Sequence, residues 1–363
     1  MLKRIMMMLG IAMSVLLSVN QASFAATGSQ PDIVLNGAKM EAAAYVDGEK
    51  LYLPLRAVSE ALDYQVQWSE QDRTIQLSKP GKNILLDLLN LNHRIIAGDH
   101  AYYLDLDYTI IADRTYVGTD FFYENLGLEV SWDRQDNIVQ LTSIKENEIT
   151  IKTVKDVVEN EIVKITSQYP QLEGLEDQAV QDKINASFAR LSAAAKNEIL
   201  NDAAEMQKEI EMNPDFPRSP HKWENYFDYR VKCNQNGLLS VVFLDYRYTG
   251  GAHGSTLQSS YTYDLKTGVE YQLKDLFKSD ADYVSLINTA VKQEIDERVK
   301  EGILPEYNLV PFESIREDHD FYLYDNAVVV YFQQYEHWPY AAGIQEFPVK
   351  FDLLGEILKP EIR

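Results

Sequence analysis

Apolar side chains recur every three to four residues at Val180, Ile184, Phe188, Leu191, Ala195, Ile199, Ala203, Met206 and Ile210. That spacing puts them on one face of a long amphipathic helix, which Asn213-Pro214, Pro217 and Pro220 bring to an end. A stripe of this length must cover a sheet. Strands are predicted over residues 226–232, 238–248, 259–265 and 269–273, with Asn236-Gly237 and Lys266-Thr267-Gly268 as turns between antiparallel neighbours. Ahead of the helix, residues 161–167 read as a strand ending at Tyr169-Pro170, and residues 172–175 read as a loop. A second helix is predicted over residues 281–300, with Val284, Ile287, Val291 and Ile295 on one face. Strands near 320–323, 327–332 and 347–353 finish the chain. Grouped strands with helices on one face indicate an α+β fold.

The first half follows another pattern. The chain matches itself at a shift of 64 residues, which brings Trp68 onto Trp132. Leu51-Tyr52-Leu53-Pro54, Ala61-Leu62 and Val66-Gln67-Trp68 align without gaps to Thr115-Tyr116-Val117-Gly118, Asn125-Leu126 and Val130-Ser131-Trp132. Each copy reads as a short strand, a helix and a hairpin. Asp47-Gly48 turns into the first strand, and Pro54 suits the first position of the helix carrying Val58, Ala61 and Leu62. Tryptophans at equivalent places in alternating strands are expected in the core; a sugar-stacking platform would need both rings exposed.

Tandem units of this design resemble the copper amine oxidase N-terminal-like, or stalk, domain of secreted Gram-positive proteins, over residues 33–143. The first copy keeps Leu53-Pro54-Leu55-Arg56, whereas the second has Val117-Gly118-Thr119-Asp120, which loses the proline and reverses the charge. The resemblance does not imply oxidase chemistry. A copper site of that kind needs three imidazoles and a tyrosine-derived quinone, and this half offers His93 and His100, without His-x-His or an Asn-Tyr-Asp/Glu triplet. No cofactor and no metal site is expected.

Charge and the N-terminus narrow the setting. Lys3 and Arg4 precede an apolar run, and Ser23-Phe24-Ala25 offers small residues at a cleavage site, so residues 1–25 read as a secretory signal peptide. The run is too short to span a bilayer, and no membrane span is expected after cleavage. The formal charge of −22 argues against nucleic acid and anionic lipid as partners. A single cysteine, Cys233, excludes an intramolecular disulfide and cysteine-based metal sites. The expected location is extracellular, with association to the cell wall as an option.

The densest signature of the second half is Asp245-Tyr246-Arg247-Tyr248-Thr249-Gly250-Gly251-Ala252-His253-Gly254. Its glycines allow positive backbone torsions and close approach around one imidazole. This run, with Tyr169-Pro170-Gln171, the turn at 264–268, Lys274-Asp275-Leu276-Phe277, and Tyr335-Glu336-His337 through Gly343, resembles the extracellular region of RsiV-type anti-sigma factors. The same paired region occurs in PdaC-type peptidoglycan deacetylases. The resemblance spans residues 149–353 and implies a pair of α+β subdomains, which in RsiV receives lysozyme. The chain lacks the membrane helix and sigma-binding segment of the one and the deacetylase domain of the other, so neither signalling nor deacetylation is implied. The domain layout expected is a signal peptide at 1–25, two stalk-like repeats at 30–146, a first RsiV-like subdomain at 147–258 and a second at 259–363.

Candidate ligand-binding residues are Tyr246, Tyr248, Gly250, Gly251, His253, Gly254, Tyr335, His337, Trp338 and Tyr340. Tyrosine gives large contact area for little lost rotamer freedom, which suits a binding face; sheet core is the competing use. His253 offers a base or ligand, or a bond to backbone, and pairing with His337 would place both at one site. Catalytic assignments find little support. Ser219-Pro220-His221-Lys222 and Lys266-Thr267-Gly268 match pieces of a penicillin-interacting serine enzyme, but no Ser-x-Asn lies between them. The sequence therefore reads as a secreted, non-enzymatic envelope protein that binds a protein ligand, a basic lysozyme-type muramidase being the sharpest candidate. The alternative is an accessory module for peptidoglycan glycan; a hydrolase would need a catalytic constellation not found here.

Overall fold

The computed structural model describes residues 30–88, 93–104, 106–213 and 221–362. The expected signal peptide and Ser219 lie outside the described residues. In the first repeat the strand Lys50–Pro54 enters the helix Leu55–Ala61 directly. Pro54 is the N-cap, with φ −68°, one position before the place expected for it; Leu55 and Val58 behind it are buried. The hairpin Gln65–Ser69 with Thr74–Lys79 follows. The second repeat has the strand Arg114–Gly118, a helical turn Thr119–Phe121 that widens into a π turn Phe122–Leu126, and the hairpin Leu128–Asp133 with Ile138–Ser143.

The two repeats share a sheet through their equivalent strands. Lys50–Pro54 and Arg114–Gly118 run antiparallel with Leu53 opposite Val117, Pro54 opposite Tyr116 and Tyr52 opposite Gly118. Leu53 and Val117 occupy the same place in the repeat, so this register creates a local two-fold axis between them. Both are fully buried in one core with Val58, Phe121 and Phe122. Strands not anticipated from the sequence enlarge each hairpin: Lys82–Asp87, His93–Ala97 and His100–Leu104 on the first, Asp32–Leu35 and Ala38–Ala43 on the second. The core position expected for Trp68 is not observed. Its ring is 43% exposed, with Nε1 donating to Glu70 at 2.8 Å, because Gln65–Ser69 is an edge strand. Trp132 packs against the core and lies under the Arg134 guanidinium, 4.6 Å from its ring, so the two tryptophans form no exposed pair.

The second half is built on a six-stranded sheet in the order Thr150–Glu159, Val163–Glu173, Trp223–Gln235, Leu238–Tyr248, Ser255–Asp264 and Glu270–Tyr271. The helix Gln178–Met212 crosses its face and returns the chain parallel to Val163–Glu173; the other pairs are antiparallel. Asp177 caps the helix, its carboxylate accepting from the backbone N–H of Ala179 and Val180. Ile184, Phe188 and Ala195 pack on Phe227, Phe243 and Tyr263 of the sheet. Asn236 and Gly237, both at positive φ, make the tight turn the sequence predicts. The expected end at Tyr169-Pro170 is not observed. The strand continues through Pro170 and buried Leu172, because pairing with Trp223–Gln235 covers only Val163 to Ser167 and asks for no donor at Pro170. Ser255–Asp264 is continuous across residue 258, where the sequence suggests a division.

A smaller sheet, Phe321–Tyr324, Ala327–Phe332 and Gln345–Lys350, packs with the helix Tyr283–Lys300 around Ile287, Val291, Phe332 and Phe347. Buried Val242 and Tyr331 join the two sheets.

The halves meet along Trp223–Gln235. Asp228 is buried and receives His100 Nε2 at 2.8 Å and Arg230 Nη1 at 2.5 Å. Burial alone would raise its pKa, but the His100 bond and the Arg230 charge hold it below the usual carboxylate value. Arg230 also donates to Tyr103 O, while Tyr226 OH and the Gln168 amide both donate to Ala101 O. Further along, Lys232 Nζ lies 2.5 Å from Glu124 on the π turn. Burial would lower the lysine pKa, yet the charges of Glu124 and Glu346 raise it. Tyr324 OH donates to Asp120 at 3.0 Å, and Asp325 N donates to Tyr123 OH. Asp120 is the repeat equivalent of Arg56, which is exposed and pairs with Glu60. The charge reversal between the copies thus falls at a repeat position where Asp120 meets the second half and Arg56 does not.

Candidate functional site

The Leu238–Tyr248 and Ser255–Asp264 strands pair as far as Arg247 and Ser255, and the glycine-rich run is the loop between them. Gly250 and Gly251 hold φ of 107° and 93°, where a side chain is strained. Tyr248 OH donates to Gly251 O across the loop. Gly254 answers to a different demand. A Cβ there would lie 2.6 Å from the Tyr246 ring and 2.6 Å from Arg247 O, so only glycine lets that ring lie across the loop. Arg247 fixes the base of the loop by bonds to Asp245 and to Glu198 on the long helix, and Asn225 donates to Asp245 from the next strand.

His253 Nδ1 lies 2.9 Å from Gly254 O. A carbonyl only accepts, so Nδ1 carries the proton and Nε2 faces outward, within 3.5 Å of Tyr335 OH. The imidazole stacks on Tyr340, centroids 3.8 Å apart at 17°, and Tyr335 lies 5.7 Å from Tyr340. Two segments distant in sequence are brought together by an amide clamp: the Gln333 side chain accepts from Gln258 N and donates to Gln258 O, and Gln334 accepts from Thr256 N. The turn it anchors holds Tyr335 at φ 67°, rare for a tyrosine, with the ring 51% exposed. Burial, then the charges of Glu224 and Tyr340, raise the Tyr246 pKa. The result is an open aromatic face of Tyr246, Tyr248, His253, Tyr335 and Tyr340. It can stack on or pack against a ligand.

Two expected members of the site go elsewhere. His337 Nδ1 donates to Val310 O at 2.8 Å, and its ring meets Phe312 and Phe332 edge-on. Trp338 is 2% exposed among Phe332 and Phe347, a core residue that no surface ligand touches. Burial of an apolar ring adjacent to exposed polar neighbours is decided by the local turn, which a short motif does not reveal. Lys266-Thr267-Gly268 is a turn whose Lys266 and Thr267 N–H groups bond to the Asp264 carboxylate, with Gly268 against Val180. Sequence reasoning missed Arg247, Asp245 and Asn225, although the Asp-Tyr-Arg-Tyr run already placed Asp245 and Arg247 on one face of a strand.

A second imidazole lies in the core. His319 is 5% exposed, with Nε2 3.1 Å from Tyr331 O and Nδ1 unpartnered; burial lowers its pKa from the ordinary 6.5. The unfolded chain then binds this proton more readily, so stability should fall as pH drops through about 6.5. Urea midpoints at pH 7.5 and 5.5 should show the loss in the native protein and a smaller one in His319→Asn; equal losses would assign the pH dependence to other groups.

Against this geometry, the chain matches three family models. Residues 34–141 match the copper amine oxidase N-terminal domain, 157–256 match deacetylase PdaC, and 274–352 match a protein family of unknown function, DUF3298. The second half is RsiV-like. Over 221 residues the chain is 26% identical to the anti-sigma-V factor RsiV of Bacillus subtilis, covering 59% of this chain and 71% of that one. It is 27% identical over 181 residues to the peptidoglycan-N-acetylmuramic acid deacetylase PdaC of the same organism, covering 47% of this chain and 37% of the relative. The chain thus spans little more than a third of PdaC. A DUF3298 crystal structure from Bacteroides fragilis aligns over 60% of this chain and 96% of its own, at 18% identity and a TM-score of 0.45. Among the described residues no helix is long and apolar enough to cross a membrane.

Proposed function

We propose that this is a secreted cell-envelope protein whose RsiV-like half binds a protein ligand of the lysozyme type, with the stalk-like repeats as a spacer fixed to it. The observation that carries this reading is the open aromatic stack of His253, Tyr340 and Tyr335, built from the motifs that carry the RsiV resemblance. The arrangement suits binding better than catalysis. The protonated nitrogen of His253 is committed to a backbone carbonyl, and its ring is committed to Tyr340. The net charge of −22 would steer a basic ligand at low ionic strength.

Titration of the intact protein with a basic lysozyme should give saturable binding that weakens, but persists, at physiological salt. Tyr340→Ala should lower the affinity at least about tenfold, as loss of a central aromatic anchor does, without shifting the melting temperature. Absence of saturable binding would overturn the reading. Salt-independent binding of peptidoglycan fragments, lost in the same variant, would move the function to glycan recognition.

A further inference from the structure

Between the helix Tyr283–Lys300 and the strand Phe321–Tyr324 the chain runs for about twenty residues without regular structure. Irregular segments of this length in compact domains usually serve function. Its inner side is anchored: Leu304 and Ile315 are buried, Leu309 N donates to His337 O, and Ile315 N donates to the Asn288 side chain. Its outer side is apolar. Ile303 is 63% exposed, Tyr307 67%, Leu309 40% and Val310 54%, although four large apolar side chains so close in sequence could have been drawn into the core. Asn308 Oδ1 in the segment and Trp338 Nε1 next to His337 are buried with no hydrogen-bond partner among the described residues.

Two features say what covers this segment. His337, bonded to Leu309 and Val310, stands two residues from Tyr335, a separation of about 7 Å along the chain, so the apolar loop adjoins the aromatic face. Charge supplies the second. Glu301, Glu306, Glu313, Glu317, Asp318 and Asp320 stand against Arg316 alone, which is paired with Asp318. Among the described residues Glu306 and Glu313 are exposed and have no cationic partner.

We propose that the 302–313 loop is a second contact for the same ligand, its apolar crest packing on a basic folded protein whose cations meet Glu306 and Glu313. This rests on the reading of the second half as a protein-binding unit, and it makes the interface bipartite: an aromatic stack on one side, an acid-rimmed apolar loop on the other.

The test uses the intact protein and a basic lysozyme as probe. The exposed-surface variant Ile303→Ser/Tyr307→Ser/Val310→Ser should weaken binding at least about tenfold. Glu306→Lys/Glu313→Lys should slow association about tenfold at low salt and flatten its salt dependence. Val157→Ser, an exposed apolar position on the far sheet edge, should leave both unchanged. Far-ultraviolet spectra and melting curves establish that each variant folds, and the charge-reversal pair keeps the test valid if the serine variant does not. Native affinity and association rate in both loop variants would overturn the loop's role while leaving the aromatic face standing. No binding by the unmodified protein would overturn both readings.

Discussion

Glu124→Ala should destabilise the protein by about 3–5 kcal/mol, among the largest losses a single exchange can cause here. Lys232 lies in the junction between the halves with its ammonium 2.5 Å from Glu124, flanked by the rings of Tyr322 and Tyr324. Removing the carboxylate leaves a buried cation uncompensated, and breaking a buried pair costs far more than the pair contributes over an apolar substitute. Glu124→Gln/Lys232→Met should therefore recover most of the loss. Urea unfolding followed by tryptophan fluorescence measures both. A single transition in the native protein and an earlier one in Glu124→Ala are expected; an unchanged midpoint would mean that the two halves do not close on each other in solution.

Gly254→Ala should cost about 1–3 kcal/mol and, in addition, disable the aromatic face. The added methyl has 2.6 Å to both the Tyr246 ring and the Arg247 carbonyl, and the second of these is backbone that cannot swing aside. Gly251→Ala is the informative comparison. It meets nothing within 4 Å, so its smaller cost, about 1 kcal/mol, is that of φ 93° alone. In a double-mutant cycle Tyr246→Ala should relieve part of the Gly254→Ala cost, because the ring supplies half of the collision. Additive effects would place the strain entirely in the backbone and count against the packing role assigned to Gly254.

The parts of this fold that could be read in advance are those with strong local signals. The strand, helix and hairpin of each repeat follow from Pro54, the paired tryptophans and their turns, and the long helix follows from its spacing up to Asn213. Other elements escaped for identifiable reasons. Thr150–Glu159 is an edge strand, only half-buried, and its Lys152, Lys155 and Asp156 leave little apolar pattern to mark it. Lys82–Asp87 and His93–Ala97 lack clean alternation because apolar Leu85 and Ile96 stand on the half-buried face opposite Ile84, Leu86 and Ile95. The site was legible in composition but not in membership. His253, Tyr335 and Tyr340 do come together, whereas Trp338, from the same motif, turns into the core. No local pattern announced the apolar loop, since exposure is a property of the finished surface.

Equivalent strands meeting around a two-fold axis, Leu53 on Val117, form the contact that two separate subunits would make in a symmetric dimer. Covalent linkage removes the need for the two copies to stay alike. One copy can keep the proline-led helix entry and hold the shape of the pair while the other changes its surface at no cost to assembly. Here the freed copy is the one with Asp120, Tyr123 and Glu124, all three spent on gripping the second half. An internal dimer has thereby come to present two unlike surfaces to one neighbour, the first copy's sheet through His100, Ala101 and Tyr103 and the second copy through Asp120, Tyr123 and Glu124.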